Sequence, residues 1–295
     1  MKFSLFRGCF IPVRLPHIES ISIKILEDLG VEFQIVDEFS CCPEPVAFLN
    51  DKLTGLAIAA RNISIAEEMG HDILTLCNGC SYSLMHANEL LKTNEDLREK
   101  VNDVLSVTDH CFKGTIEVKH FAKVIYEDIG LDTLKKHLEK PLTGINVATH
   151  TGCHIISPPE IMRFDNPIDP IILDKMVSVL GEKAIDYDLK NLCCGWTLTN
   201  FGNRESASKL IGEKLGSMRS AGADCITVIC PQCFYQFDTG QFLAQRSMQL
   251  NFKLPVFFYL QLLALTMGYS LDDIGYKDHR VKEPSLEEKL GRFLD

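Results

Sequence analysis

Ten of the twelve cysteines fall into two sets of five with nearly the same internal spacing. The first set is Cys9, the adjacent pair Cys41-Cys42, and Cys77 and Cys80. The second is Cys153, the pair Cys193-Cys194, and Cys230 and Cys233. As patterns they read C-x31-CC-x34-C-x2-C and C-x39-CC-x35-C-x2-C, so eight extra residues before Cys193 and one before Cys230 account for the difference. The flanks repeat as well. Gly8-Cys9 matches Gly152-Cys153, the run Asp72–Cys77 resembles Asp224–Cys230, and Tyr82 and Tyr235 each stand two residues after their CxxC turn. Chance does not align five spaced cysteines with their flanks. The chain therefore reads as two homologous domains, 1–140 and 141–295, with a C-terminal tail on the second.

Short apolar runs precede the cysteine groups at Phe3–Phe6, Phe33–Val36, Ile73–Leu76, Ile145–Ala148 and Ile226–Ile229. Amphipathic stretches such as His17–Leu29 and Leu53–Met69 lie between them. This β-α-β alternation predicts an α/β fold of two Rossmann-like domains related by a pseudo-twofold, with cysteines at the C-terminal ends of strands. Ser81–Leu105 and Thr197–Arg219 read as helices, and Glu117–Ile129 and Pro255–Tyr269 each as a strand running into a helix. Ile156–Pro170, with four prolines, reads as an irregular loop and the site of the eight-residue insertion. Ser285-Leu-Glu-Glu288 has the form of a capping box for a terminal helix.

Composition sets limits. Lys plus Arg number 30 against 40 Asp plus Glu, a net charge of -10, which argues against a nucleic-acid partner. No apolar run reaches the roughly 18 residues of a transmembrane segment. The start, Met1 to Cys9, is too soon interrupted for a signal peptide, so a cytoplasmic chain with reduced thiols is expected rather than a disulfide scaffold.

Each set offers five thiols, whereas tetrahedral zinc and a [4Fe–4S] cubane each take four. Adjacent cysteines diverge along an extended chain, so they suit a polynuclear site better than a single ion. A four-cysteine zinc site with a spare thiol remains an alternative, as does a strained Cys-Cys disulfide. Cys225, in an apolar strand, reads as a core thiol, and Cys111 as a core or surface thiol.

The pattern C-x(n)-CC-x(n)-C-x2-C resembles the cysteine-rich CCG domain family. Two copies filling a chain of this length are similar to the B subunits of heterodisulfide reductases from methanogenic archaea and related anaerobes. The resemblance implies an oxidoreductase of methanogenesis that reduces the coenzyme M–coenzyme B mixed disulfide to two thiols. It also implies two noncubane [4Fe–4S] clusters, the first on Cys9, Cys41, Cys42, Cys77 and Cys80, the second on Cys153, Cys193, Cys194, Cys230 and Cys233. A disulfide held between two such sites needs one electron from each. One departure from a strict repeat is visible: Cys194 precedes Gly195 but Cys42 precedes Pro43, where proline fixes φ and removes an N–H.

The substrate implied is anionic, so basic groups near the cysteines are candidate contacts: Arg7, Arg14, His17, His150 and Arg163, with Trp196 as a pocket wall. His154, directly after Cys153, is a candidate proton donor. No ferredoxin cysteine run, G-x-G-x-x-G fingerprint or P-loop is present, so no flavin or NAD is expected in this chain. Electrons then come from a partner. The resemblance implies a ferredoxin-like subunit, linked to a flavin subunit and a hydrogenase or formate dehydrogenase. Two other classes stay open: an electron-relay or docking subunit of a flavin dehydrogenase acting on lactate, glycolate or succinate, and a structural zinc module.

Overall fold

The computed structural model describes residues 2–45 and 47–294. Among the described residues eight strands form two four-stranded sheets, every neighbouring pair parallel. The first holds β1 (Lys2–Phe6), β2 (Glu32–Ile35), β3 (Asp72–Thr75) and β4 (Val118–His120) in the order β2-β1-β3-β4. The second holds β5 (Asn146–His150), β6 (Lys183–Ile185), β7 (Cys225–Val228) and β8 (Val256–Phe258) in the matching order β6-β5-β7-β8. The two copies are thus homologous α/β domains with one topology. In this order the chain reverses its direction of travel across the sheet beside the first strand of each copy, which opens a crevice at the carboxyl ends of β1 and β3, and of β5 and β7.

β1, β2, β3, β5 and β7 fall on the five apolar runs, and β4 and β8 open the two stretches expected as a strand running into a helix. The exception is β6. Its three residues, Lys183-Ala184-Ile185, lie at a sheet edge with only Ile185 buried, so no apolar run marks it. The helix Pro16–Asp28 buries Ile18, Ile21, Ile25 and Leu26, the i, i+3, i+7, i+8 stripe of an amphipathic helix. The helix Lys52–Met69 starts where the Asp51 carboxylate accepts the Thr54 N–H at 3.1 Å and stops at Gly70, whose φ is +68°.

Two stretches expected as single helices are broken by caps. Ser81–Leu105 divides into Asn78–Thr93 and Glu95–Leu105, because Asn94 is extended and accepts the Leu97 N–H. Thr197–Arg219 divides into Trp196–Asn200 and Arg204–Ser220, because Gly202 has φ +85° and Asn203 caps the second piece. The terminal helix Pro284–Leu294 begins on its proline. Ser285 therefore lies inside the first turn, its hydroxyl 3.4 Å from Glu283, and the expected capping box does not form.

Ile156–Pro170 is irregular apart from one helical turn, Pro159–Met162, which packs on the helix Asn78–Thr93 of the first copy. The C-terminal segment crosses the same boundary. The buried helix Tyr259–Thr266 packs on Pro16–Asp28, Thr266 O accepts the N–H groups of Glu139 and Lys140, and the Tyr269 hydroxyl donates to Asp28. Among the described residues no helix is long and apolar enough to cross a membrane.

Candidate metal centre

Strand ends deliver the cysteines. Registers pairing Phe6 with Thr75, and His150 with Val228, bring the carboxyl ends of adjacent central strands level. Cys9 follows β1 through Gly8 (φ +68°), and Cys153 follows β5 through Gly152 (φ +82°). Both glycines are required by space as well as by φ: a Cβ on Gly8 would lie 3.0 Å from Cys80 Sγ, and one on Gly152 would lie 2.6 Å from Asn78 Nδ2. Each CxxC turn straddles a strand-to-helix junction. Cys77 and Cys230 are extended at the helix N-cap, while Cys80 and Cys233 lie one turn inside. That spacing puts both sulfurs on one side, at the end of the helix dipole that favours thiolates.

All twelve cysteines are free thiols. Ten of them are coupled in their ionisation, each to the next, in the order Cys9, Cys41, Cys42, Cys80, Cys77, Cys230, Cys233, Cys194, Cys193, Cys153. The sequence of positions is the same from either end, and its midpoint is the coupling of Cys77 with Cys230. Cys9 and Cys41 are 3.9 Å apart. The outer members are exposed; the six inner ones from Cys42 to Cys194 are buried. Cys225 is buried on β7 and Cys111 is exposed, both outside the chain.

Thiols this crowded cannot all ionise alike. Donation from Cys153 and Cys194, with the Gly195 N–H at 3.4 Å, holds Cys193 well below the usual thiol range. Cys41 and Cys80 do the same for Cys42. Cys9 and Cys153, the thiols that donate at each end, are pushed up.

The loops before the adjacent pairs are clamped by one position in each copy. Asn62, buried on the helix Lys52–Met69, accepts the Ser40 N–H at 2.8 Å and donates to Cys41 O at 3.2 Å. Lys214, equally far behind its own cysteine pair and buried on the helix Arg204–Ser220, donates to the carbonyls of Leu189, Lys190 and Leu192 at 3.0, 2.8 and 2.6 Å. Three bonds from one nitrogen are the full donor set of an ammonium. Burial pushes Lys214 down to about 8, and the charges that pull it back are those of Cys194, Cys233, Cys193 and Cys153.

The two copies also hold each other. Asn78, inside the first CxxC turn, donates to Thr151 O at 2.7 Å, just before Gly152. His120, at the end of β4, accepts the Ala122 N–H on Nδ1 and sets Nε2 against Ile229 O at 3.2 Å, just before Cys230. Burial holds this ring down to about 3, so it is neutral and Nε2–H is the donor.

His150 ends β5 and is buried at the second set. One of its ring nitrogens and the sulfurs of Cys194 and Cys233 all lie within 4.8 Å of one another. Among the described residues neither ring nitrogen has a hydrogen-bond partner. Burial, and then Lys214, keep the ring neutral.

A cavity of about 570 Å³ opens beside Cys153 at the boundary of the copies. Glu44, Pro45 and Tyr82 form its wall from the first copy, and His154, Pro158 and Thr197 from the second. The half-buried His154 ring lies 5.2 Å from Tyr82. The other candidate contacts scatter. Arg7 lines a small cavity with Cys9, but its guanidinium is paired with Glu19 at 3.0 Å and Asp37 at 2.7 Å. Arg14 and His17 line a separate surface cavity with Asp238 and Arg280. Arg163 turns to Glu89 at 3.4 Å. Trp196 packs on Phe10 and Tyr235 and lines the second cysteine set. Sequence reasoning missed Asn62, Lys214, Asn78, His120 and Tyr82. The equal placement of Asn62 and Lys214 behind their cysteine pairs was a readable signal.

The donor chemistry fits an anionic, thiolate-bound polynuclear group. Ten sulfurs converge on two sites, an ammonium is buried with cysteines as its main countercharge, and an imidazole with no hydrogen-bond partner among the described residues sits beside two of them.

Two α/β units aiming five thiols each at a shared boundary define a tandem cysteine-rich protein. Residues 3–85 and 147–238 match the family described as CCG, cysteine-rich domain, and the chain belongs to that family. It is 38% identical, over 98% of its length and 97% of the relative's, to the B subunit of the ferredoxin/F(420)H(2)-dependent CoB-CoM heterodisulfide reductase of Methanosarcina acetivorans. It is 27% identical, over 97% of its length and 99% of the relative's, to the 8-methylmenaquinol:fumarate reductase membrane anchor subunit of Wolinella succinogenes. A solved structure of a hypothetical protein from Helicobacter pylori shares the fold, with a TM-score of 0.77 at 16% identity, covering 96% of this chain and 52% of that one.

Proposed function

We propose that this chain is the catalytic B-type subunit of a heterodisulfide reductase, reducing the coenzyme M–coenzyme B disulfide to two thiols. The observation that carries the reading is the symmetric chain of ten sulfurs beside a cavity large enough for a small molecule. Similarity at 38% over nearly the whole length supports it. In this reading 1–140 and 141–295 are the two domains. Cys9, Cys41, Cys42, Cys77 and Cys80 hold one noncubane [4Fe–4S] cluster, and Cys153, Cys193, Cys194, Cys230 and Cys233 hold the other. When bound, the clusters supply electrons singly, and a disulfide takes two.

The protein's own residues bind, orient and protonate. Tyr82 and Pro45 line the cavity together with His154 and Pro158, and its volume admits a small-molecule disulfide. His154 is within one residue of Cys153 and half-exposed, so it can pass a proton to a departing thiolate. Arg7 beside Cys9 and Trp196 beside Cys194 are the nearest of the remaining candidate contacts. Electrons arrive from a ferredoxin-like partner subunit, in a cytoplasmic complex with a flavin subunit and a hydrogenase or formate dehydrogenase.

A second reading is favoured by the near full-length relationship to the Wolinella subunit: an electron-relay or docking subunit of a flavin dehydrogenase of the lactate, glycolate or succinate type. The test is iron and acid-labile sulfide content of the anaerobically isolated chain, then disulfide reduction with a reduced dye as donor. About eight irons and eight sulfides with turnover support the enzyme. The same content without turnover favours the relay, and zinc without sulfide leaves a structural module.

A further inference from the structure

The two cysteine sets are alike in their sulfurs and unlike in what surrounds them. At two matched positions the second set has a group that stabilises negative charge on sulfur and the first does not, and at a third it has an imidazole near two sulfurs where the first has a phenyl ring. Lys214 brings a buried ammonium where the first copy has the neutral amide of Asn62. His150 ends β5 with ring nitrogens near Cys194 and Cys233, where β1 ends in Phe6, whose ring packs on Phe39 at 5.1 Å. Gly195 donates its N–H to Cys193 Sγ at 3.4 Å, where Pro43 has no N–H to give.

We infer that the two sites are electronically unequal, and that the second, on Cys153, Cys193, Cys194, Cys230 and Cys233, takes up an electron before the first. The inference rests on the iron–sulfur reading above and deepens it. Hydrogen bonds to sulfur and a nearby buried cation both favour the reduced state, which carries one more negative charge. The Lys214 ammonium and the Gly195 N–H both act in that direction. Electrons entering the chain therefore collect at the second site, next to Cys153 and His154 at the mouth of the cavity.

The test is a reductive titration of the full, anaerobically isolated chain, followed by visible absorbance and electron paramagnetic resonance. Two waves are expected, separated by at least a tenfold difference in reduction equilibrium, about 59 mV for one electron. Lys214→Gln should move the higher wave down and leave the lower in place. Lys214 also holds three carbonyls, so loss of metal in that variant is read against the wild-type chain. There, with isotopically labelled histidine, the signal of the site reduced first should show coupling to a histidine nitrogen. A single wave, a shift of the lower wave, or histidine coupling confined to the site reduced second overturns the inference. Wild-type protein without iron and sulfide removes the iron–sulfur reading itself, which is a separate outcome.

Discussion

Asn78, inside the first CxxC turn, donates its side-chain amide to the carbonyl of Thr151, at the entrance to Gly152-Cys153 of the second copy. One buried hydrogen bond thus ties the helix start of one cysteine set to the strand end of the other. Gly152 is where it is because a Cβ there would strike the same amide nitrogen at 2.6 Å. Asn78→Ala should cost about 1–3 kcal/mol, the usual penalty for orphaning a buried carbonyl. Gly152→Ala should break the same bond and add the strain of a φ of +82°. The two losses should combine to less than their sum, because they share one interaction. Denaturant unfolding of the four forms measures this, and full additivity would show that the bond does not couple the copies.

Asn62 makes a parallel prediction for the first copy alone. It satisfies Ser40 N–H and Cys41 O at once. Asn62→Ala leaves both without their partner, with an expected loss of about 1–3 kcal/mol. Because the loop it clamps carries Cys41 and Cys42, metal content should fall by up to half while the second site stays loaded. Asn62→Asp keeps the acceptor for Ser40 and should load better than Asn62→Ala. Metal per chain, measured on all three proteins, checks the order.

Much of this organisation was legible in the residues, because ligand spacing is a local, covalent property. A cysteine can bind beside its neighbours only if the chain returns to the same sheet edge, and the repeated spacing recorded each return. What was not legible depended on distance in space. Arg7, Arg14, His17 and Arg163 are near cysteines in sequence, yet carboxylates or separate surfaces claim them. Asn62 and Lys214 sit in helical stretches, where an isolated polar residue reads as solvent-facing, yet both are buried. β6 escaped notice because an edge strand with one buried residue needs no apolar run. His150 read as a cationic lining group, and burial makes it a neutral one.

His154 lies against Tyr82 at the cavity beside Cys153, and is half-buried where its neighbour Cys153 is exposed. If it passes the proton in disulfide reduction, His154→Gln should lower turnover by roughly 100-fold, the scale of a lost general acid. Iron and sulfide content should not change, since His154 is outside the ligand set. Tyr82→Phe, which keeps the ring face, should stay within about threefold of the parent, because general-acid loss is the only effect of the 100-fold class here. Unchanged turnover in His154→Gln would assign the proton to solvent.

Glu182 stands just before β6, buried, with neither carboxylate oxygen bonded among the described residues. Burial raises it from 4.5 to about 8. The sign follows from proton counting. Between these values the folded chain holds a proton that the unfolded chain has released, so folding is favoured by acid and weakened as pH rises. Wild-type stability should therefore decline from about pH 5 to about pH 8 through this residue and level off beyond. Glu182→Gln removes the ionisation. It should flatten that part of the profile and leave the variant more stable than wild type at pH 8 by roughly 2–4 kcal/mol, after allowing for its buried amide. Denaturant unfolding at pH 5, 6, 7 and 8 tests it. Parallel profiles for the two proteins would mean that the Glu182 carboxyl reaches water and ionises in the folded state.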